Sequence, residues 1–152
     1  MIAVACDHGA FALKLAVLKY LDGRGLSYTD FGTDSEESCD YPVFVGKAAR
    51  AVGAGACTRG IVLCSTGIGA SIAANKVAGI RCALCGDPYS AEMTRRHNDS
   101  NMLAMGAGIV GESLALRIVA AWLDTPFEGG RHSRRIALIH ALEQEELARH
   151  GQ

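Results

Sequence analysis

Short apolar runs alternate with helix-patterned stretches along the whole chain, and this alternation restricts the fold more than any other feature. The runs Met1–Cys6, Leu26–Phe31, Gly60–Leu63, Ile80–Cys85 and Met102–Met105 predict buried strands. Between them, Phe11–Asp22 carries Leu13, Val17, Leu18 and Leu21 at helical spacing and stops at Gly23 and Gly25. Val43–Val52 and Glu112–Leu123 predict further helices, and Ile72–Val77 is the core of another. Asp87 and Pro88 open another as cap and first residue. Arg131–Glu145 is a last helix with Ile136, Ile139 and Leu142 on one side. Such alternation predicts a parallel sheet covered on both faces and wound by right-handed crossovers. The expected fold is a three-layer α/β/α sandwich with a five-stranded, Rossmann-like parallel sheet and a C-terminal helix. No linker or repeat interrupts it, so residues 1–152 read as one domain.

Ligands of such folds bind outside the C-terminal ends of the strands. Asp7 and His8 follow the first strand, Cys64, Ser65 and Thr66 the third, and Asp87 the fourth. The stretch Ser65–Ser71 is small and glycine-rich, and lies between a strand and a helix. Its N–H groups and the helix start suit a phosphate or a developing oxyanion. It has neither the Walker pattern nor the G-x-G-x-x-G fingerprint, and a plain tight turn accounts for its glycines equally well. Cys64 is either a buried filler or a thiol activated as base or nucleophile.

Two further polar groups stand apart. Arg95–Asn101 (RRHNDSN) lies between a helix and the fifth strand, at the end opposite that rim. His97 and Asn98 are then a surface cap, or residues that a second subunit carries to the rim. In Gly129–Arg135 (GGRHSRR), Arg131 and Arg135 share a helix face, beside His132 and two glycines. Paired guanidinium groups suit a phosphate; a solvated basic turn is the alternative.

With 15 basic and 16 acidic residues, the chain has no field that would favour nucleic acid or an anionic membrane. No apolar run approaches the roughly 20 residues of a membrane span, and the start lacks a signal-peptide pattern. The expected compartment is the cytoplasm, with the six cysteines reduced. Cys82 and Cys85 form a C-x-x-C pair on a strand, where they point to opposite faces and are unsuited to a shared metal or disulfide.

Taken in order, CDHGAFALK, DYP, CSTGIGASIAANK, GIRCALC, DPYSAEMTRRHNDSNMLAMG and EGGRHSRRI span nearly the whole chain. Together they resemble the family of type B ribose-5-phosphate isomerases and galactose-6-phosphate isomerase subunits, and the type B ribose enzymes most. The resemblance implies a homodimer with shared active sites that interconverts ribose 5-phosphate and ribulose 5-phosphate without metal or nucleotide. Cys64 matches the base that moves a proton through a cis-enediol(ate). Gly67, Ile68, Gly69, Ala70 and Ser71 match the anion hole, with Ser65 beside it. His97 matches the ring-opening residue, assisted by Thr66 and Asp7. His8, Asp40, Tyr41 and Asn98 match sugar contacts, and Arg131 and Arg135 phosphate ligands. Members without the cysteine use a glutamate in the glycine loop; Ala70 stands there in this chain.

Two departures bear on the substrate. Ser65 replaces a common glycine, and Gly108 stands where many relatives carry a phosphate-binding arginine; Arg134 is a candidate replacement. A six-carbon phosphate such as allose or galactose 6-phosphate, or a free sugar, is the sibling reading. A non-catalytic sugar-phosphate-binding module is the reading from another class, and the joint presence of Cys64, Thr66 and His97 argues against it.

Overall fold

The β-branched and small apolar residues of the short runs pair into one parallel sheet, seen in a computed structural model that describes residues 1–150. The strands are β1 (Ile2–Cys6), β2 (Tyr28–Asp30), β3 (Arg59–Cys64), β4 (Cys82–Leu84) and β5 (Met102–Gly106), in spatial order β2-β1-β3-β5-β4. The helices are α1 (Phe11–Gly23), α2 (Tyr41–Gly53), α3 (Ile68–Ala74), α4 (Pro88–Asn98), α5 (Glu112–Asp124) and α6 (Arg131–His150). A 3-10 turn, His8–Ala10, precedes α1. Register runs Ile2 to Arg59 and Cys6 to Leu63 between β1 and β3, then Cys64 to Gly106 between β3 and β5. This places Cys6, Cys64 and Gly106 together at the C-terminal rim.

Side-chain alternation divides the interior. Val4, Ile61, Leu63, Leu103 and Met105 pack with Leu13, Val17, Leu21, Ala91, Ile118 and Trp122 from α1, α4 and α5. On the other face, Ala3, Ala5, Val62 and Ala104 meet Val45, Ala48, Ala49 and Val52 of α2, and Ala70 and Ala74 of α3. Alanines dominate that second face, which brings α2 and α3 close to the sheet. Cys85 joins the first cluster and Cys82 packs against the second, so the C-x-x-C pair straddles the sheet as its spacing requires. Burial pushes the Cys82 thiol up to about 12 and the Cys85 thiol up to about 11.

The structure moves several boundaries. β4 is shorter than the apolar run suggests because the Arg81 N–H donates to the Asn101 side chain (2.8 Å) rather than to a strand. α2 begins at Tyr41 because Pro42 is accommodated in its first turn. α3 runs from Ile68 to Ala74, so it starts ahead of the expected Ile72–Val77 core and stops short of its end, and much of the glycine-rich stretch is helix. α6 is fastened by polar contacts: the Gly79 N–H donates to the Glu143 carboxylate (2.9 Å), and Arg81 donates to His140 Nε2 (3.2 Å). Its apolar side is left bare, with Leu138 64 % and Leu142 59 % exposed. Among the described residues, no helix is long and apolar enough to cross a membrane.

Candidate active site

Cys64 ends β3 with its side chain buried, and the chain then turns directly into α3. The turn works because Gly67 adopts φ 76°, the left-handed region. A Cβ there would stand 2.5 Å from Leu84 and 2.7 Å from the Met105 backbone. The Gly67 N–H donates to Cys64 Sγ (3.1 Å), and the Ile68 N–H donates to Thr66 Oγ1 (3.3 Å). The first N–H groups of a helix have no acceptor within it. The start of α3 therefore presents partial positive charge beside the sulfur, where it stabilises negative charge.

The other rim residues enclose this turn. Asp7 follows β1; its N–H donates to Leu63 O (3.2 Å), and its buried Oδ1 has no hydrogen-bond partner among the described residues. His8 Nδ1 accepts the Cys39 N–H (3.2 Å), which leaves Nε2 to carry the proton of the neutral ring. The Tyr41 ring lies on the loop so closely that a Cβ on Gly69 would stand 2.6 Å from its Cζ. Asp40 precedes α2 with an exposed side chain that makes no cap hydrogen bond. Ser65 Oγ lies over Gly9, 2.3 Å from where a Cβ would be, so the serine hydroxyl and Gly9 need one another. The Gly108 N–H donates to Ser65 O (2.9 Å), fixing that exposed glycine to the same turn. Ala70 is buried, and Ser71 turns its hydroxyl back to Ile68 O (2.8 Å).

His97, Asn98, Arg131 and Arg135 are not at this rim. α4 runs back along the sheet, so its last turn lies at the N-terminal end of β5, roughly 16 Å from the C-terminal end of a five-residue strand. His97 stacks on His132 there, with ring centroids 4.4 Å apart and 13° between planes. Burial and the adjacent His97 and Arg131 hold the His132 imidazole below its ordinary range. Arg131 and Arg135 are exposed on the start of α6. Within one chain, the structure thus gathers the rim residues around Cys64 and leaves the RRHNDSN and GGRHSRR groups together at the other end.

The structure also adds residues. Cys39 orients His8. Lys14, 1 % exposed, ion-pairs with Asp30 (2.6 Å) and donates to the Thr33 carbonyl, holding the segment after β2 beneath the rim. Glu128 joins α4 to α6, its N–H on Arg96 O (3.1 Å) and its carboxylate 3.3 Å from the Arg96 guanidinium. The same carboxylate reaches to 3.7 Å from His132 Nε2, and the Glu128-x-x-x-His132 spacing was the available sequence signal for that second contact.

A glycine-lined cysteine at the carboxyl rim of a parallel sheet, with a histidine and arginine cluster at its far end, defines an α/β enzyme scaffold of one particular construction. The model of the Ribose/Galactose Isomerase family matches residues 2–139, and the chain belongs to that family. It is 50 % identical over 143 residues to ribose-5-phosphate isomerase B of Escherichia coli, covering 94 % of this chain and 96 % of the relative. D-erythrulose-4-phosphate isomerase of Pectobacterium atrosepticum is 42 % identical over 146 residues, covering 95 % and 96 %. The solved structure of Clostridium thermocellum ribose-5-phosphate isomerase B superposes with a TM-score of 0.94 at 50 % identity, covering 95 % of this chain and 98 % of that one.

Proposed function

We propose that this chain interconverts ribose 5-phosphate and ribulose 5-phosphate, with Cys64 as the proton-transferring base. The carrying observation is the Cys64 sulfur accepting the Gly67 N–H at the start of α3. In the proposed reaction, His97 opens the furanose ring, with Asp7 and Thr66 exchanging protons with the ring oxygen and the anomeric hydroxyl. Cys64 takes the proton from carbon 2, and charge moves onto the carbonyl oxygen of carbon 1. The N–H groups from Gly67 to Ser71 stabilise the resulting cis-enediolate. Cys64 returns the proton to carbon 1 as the hydroxyl proton on oxygen 2 passes to oxygen 1, which leaves the ketone. The unpartnered Asp7 Oδ1 supports its place beside a sugar hydroxyl. His8, Asp40, Tyr41 and Asn98 hold the sugar, and Arg131 and Arg135 its phosphate.

The reagents lie at opposite ends of one sheet, so the complete site takes His97, Asn98, Arg131 and Arg135 from a second copy. The bare apolar side of α6 supports such an assembly as a homodimer. A cytoplasmic location suits its six unpaired thiols.

Cys64→Ala is the direct test: turnover should fall by at least about 10²-fold while the far-ultraviolet circular dichroism is unchanged. Near-normal turnover would remove Cys64 from the mechanism. Gly108 supports a second reading, in which the same steps act on a different sugar. Comparing kcat/KM for ribose 5-phosphate, D-erythrulose 4-phosphate, allose 6-phosphate and free ribose decides it, and a preference for anything but the first favours the second reading.

A further inference from the structure

At the end of the sheet opposite Cys64, ligand atoms of His97, Glu128 and His132 all lie within 4.8 Å of one another. The last turn of α4 supplies His97, the segment before α6 supplies Glu128, and the first turn of α6 supplies His132. His132 is only 5 % exposed, and its Nε2 is buried without a hydrogen-bond partner among the described residues. Glu128 Oε2 stands 3.7 Å from it, beyond hydrogen-bond range. A buried polar atom left unpartnered is costly and uncommon in a native fold, so this nitrogen directed at a carboxylate points to a ligand between them. Glu128 is already oriented for it. Its Oε1 is engaged by Arg96 (3.3 Å), whose charge Glu92 shares (2.7 Å), and Oε2 is the oxygen turned to His132.

We propose that His97, Glu128 and His132 form a binding site for a divalent zinc-class ion, and that its occupation withdraws His97 from ring opening and inhibits the enzyme. Two imidazoles and one carboxylate form a donor set that zinc accepts with a fourth position left open. Tetrahedral bonds of about 2.0–2.1 Å place ligand atoms about 3.3 Å apart. The cluster therefore closes by no more than about 1.5 Å. In the stack the ring planes are 13° apart, so their in-plane lone pairs run nearly parallel, and binding an ion requires each imidazole to turn about its Cβ–Cγ bond until both nitrogens face one point. Arg131 beside His132 works against a cation, which makes the Glu128 carboxylate the decisive ligand. Arg96 serves as the outer partner that fixes it. The inhibition rests on the ring-opening role given to His97 above; the binding does not.

Calorimetric titration of the full chain with zinc chloride should give one ion per protomer. Glu128→Gln and His132→Gln should each weaken binding by at least about 10-fold, and Cys64→Ala should leave it unchanged. Cobalt(II) should show the visible absorption of a four-coordinate site without a sulfur charge-transfer band. Retained affinity in both variants, loss of binding in Cys64→Ala, or a sulfur band would overturn the site. Zinc should also slow turnover of the cyclic sugar more than that of an open-chain analogue. Binding through these three residues without that difference would leave the site standing and overturn the inhibition, together with the role assigned to His97.

Discussion

The six thiols occupy unlike surroundings, and their reactivity should follow. Burial pushes Cys6 up to about 11, although the Lys14 ammonium pulls the other way. Cys82 and Cys85 are raised to about 12 and about 11 by the same cause. Since the thiolate is the reactive form, these three remain protonated at neutral pH. Under limiting iodoacetamide at pH 7.5, mass spectrometry should find Cys39, half-buried in the loop that orients His8, labelled before any of them; labelling of Cys85 ahead of Cys39 would contradict this picture. A second residue-scale prediction concerns Trp122, whose Nε1 donates to the buried Ser100 hydroxyl (2.8 Å). Trp122→Phe keeps an aromatic ring but removes the donor, and should cost about 1–3 kcal/mol by urea denaturation, whereas Ser133→Ala on the exposed start of α6 should change little.

Among the elements, α3 shows what sequence spacing can and cannot reveal. The apolar alternation located every strand to within about two residues, because burial on both faces writes itself into composition. The start of α3 was hidden because Gly69 is a poor helix former, Ile68 and Ser71 are middling ones, and Ala70 alone does not mark a helix. They are helical because Gly67 turns left-handed and Gly106 lies flush against the Thr66 backbone, where a Cβ would stand 2.4 Å from its carbonyl carbon. That close approach comes from a neighbouring strand distant in sequence, and no local pattern contains it. Rim residues such as Asp7 and Cys64 were legible because strand ends place them, whereas Glu128 and the His97–His132 stack arise from packing between α4 and α6. Gly67→Ala should therefore both destabilise the fold, by about 1–3 kcal/mol, and lower kcat, since it displaces the N–H that bonds the Cys64 sulfur. An unchanged kcat with reduced stability would separate the turn from the chemistry.

For the whole molecule, the central fact is the separation of its two polar ends. If the proposed site is shared, mixing Cys64→Ala and His97→Asn subunits should restore activity, because one of the two sites in each heterodimer receives an intact Cys64 and an intact His97. Verified heterodimers without recovery would exclude sharing. The non-covalent tether of α6, a carboxylate on the Gly79 N–H and a guanidinium beside His140, holds the arginine-bearing helix to the rest of its chain while leaving an apolar side free.

The bare side of α6 bears on how the molecule behaves on dilution. If, as proposed, each site is finished by a second copy, a chain that exposes Leu138 and Leu142 couples its chemistry to mass action. Specific activity would then be a property of the population: as subunits part, it should decline before the sheet itself is disturbed, and a charged residue in place of Leu142 should shift that decline to higher concentration.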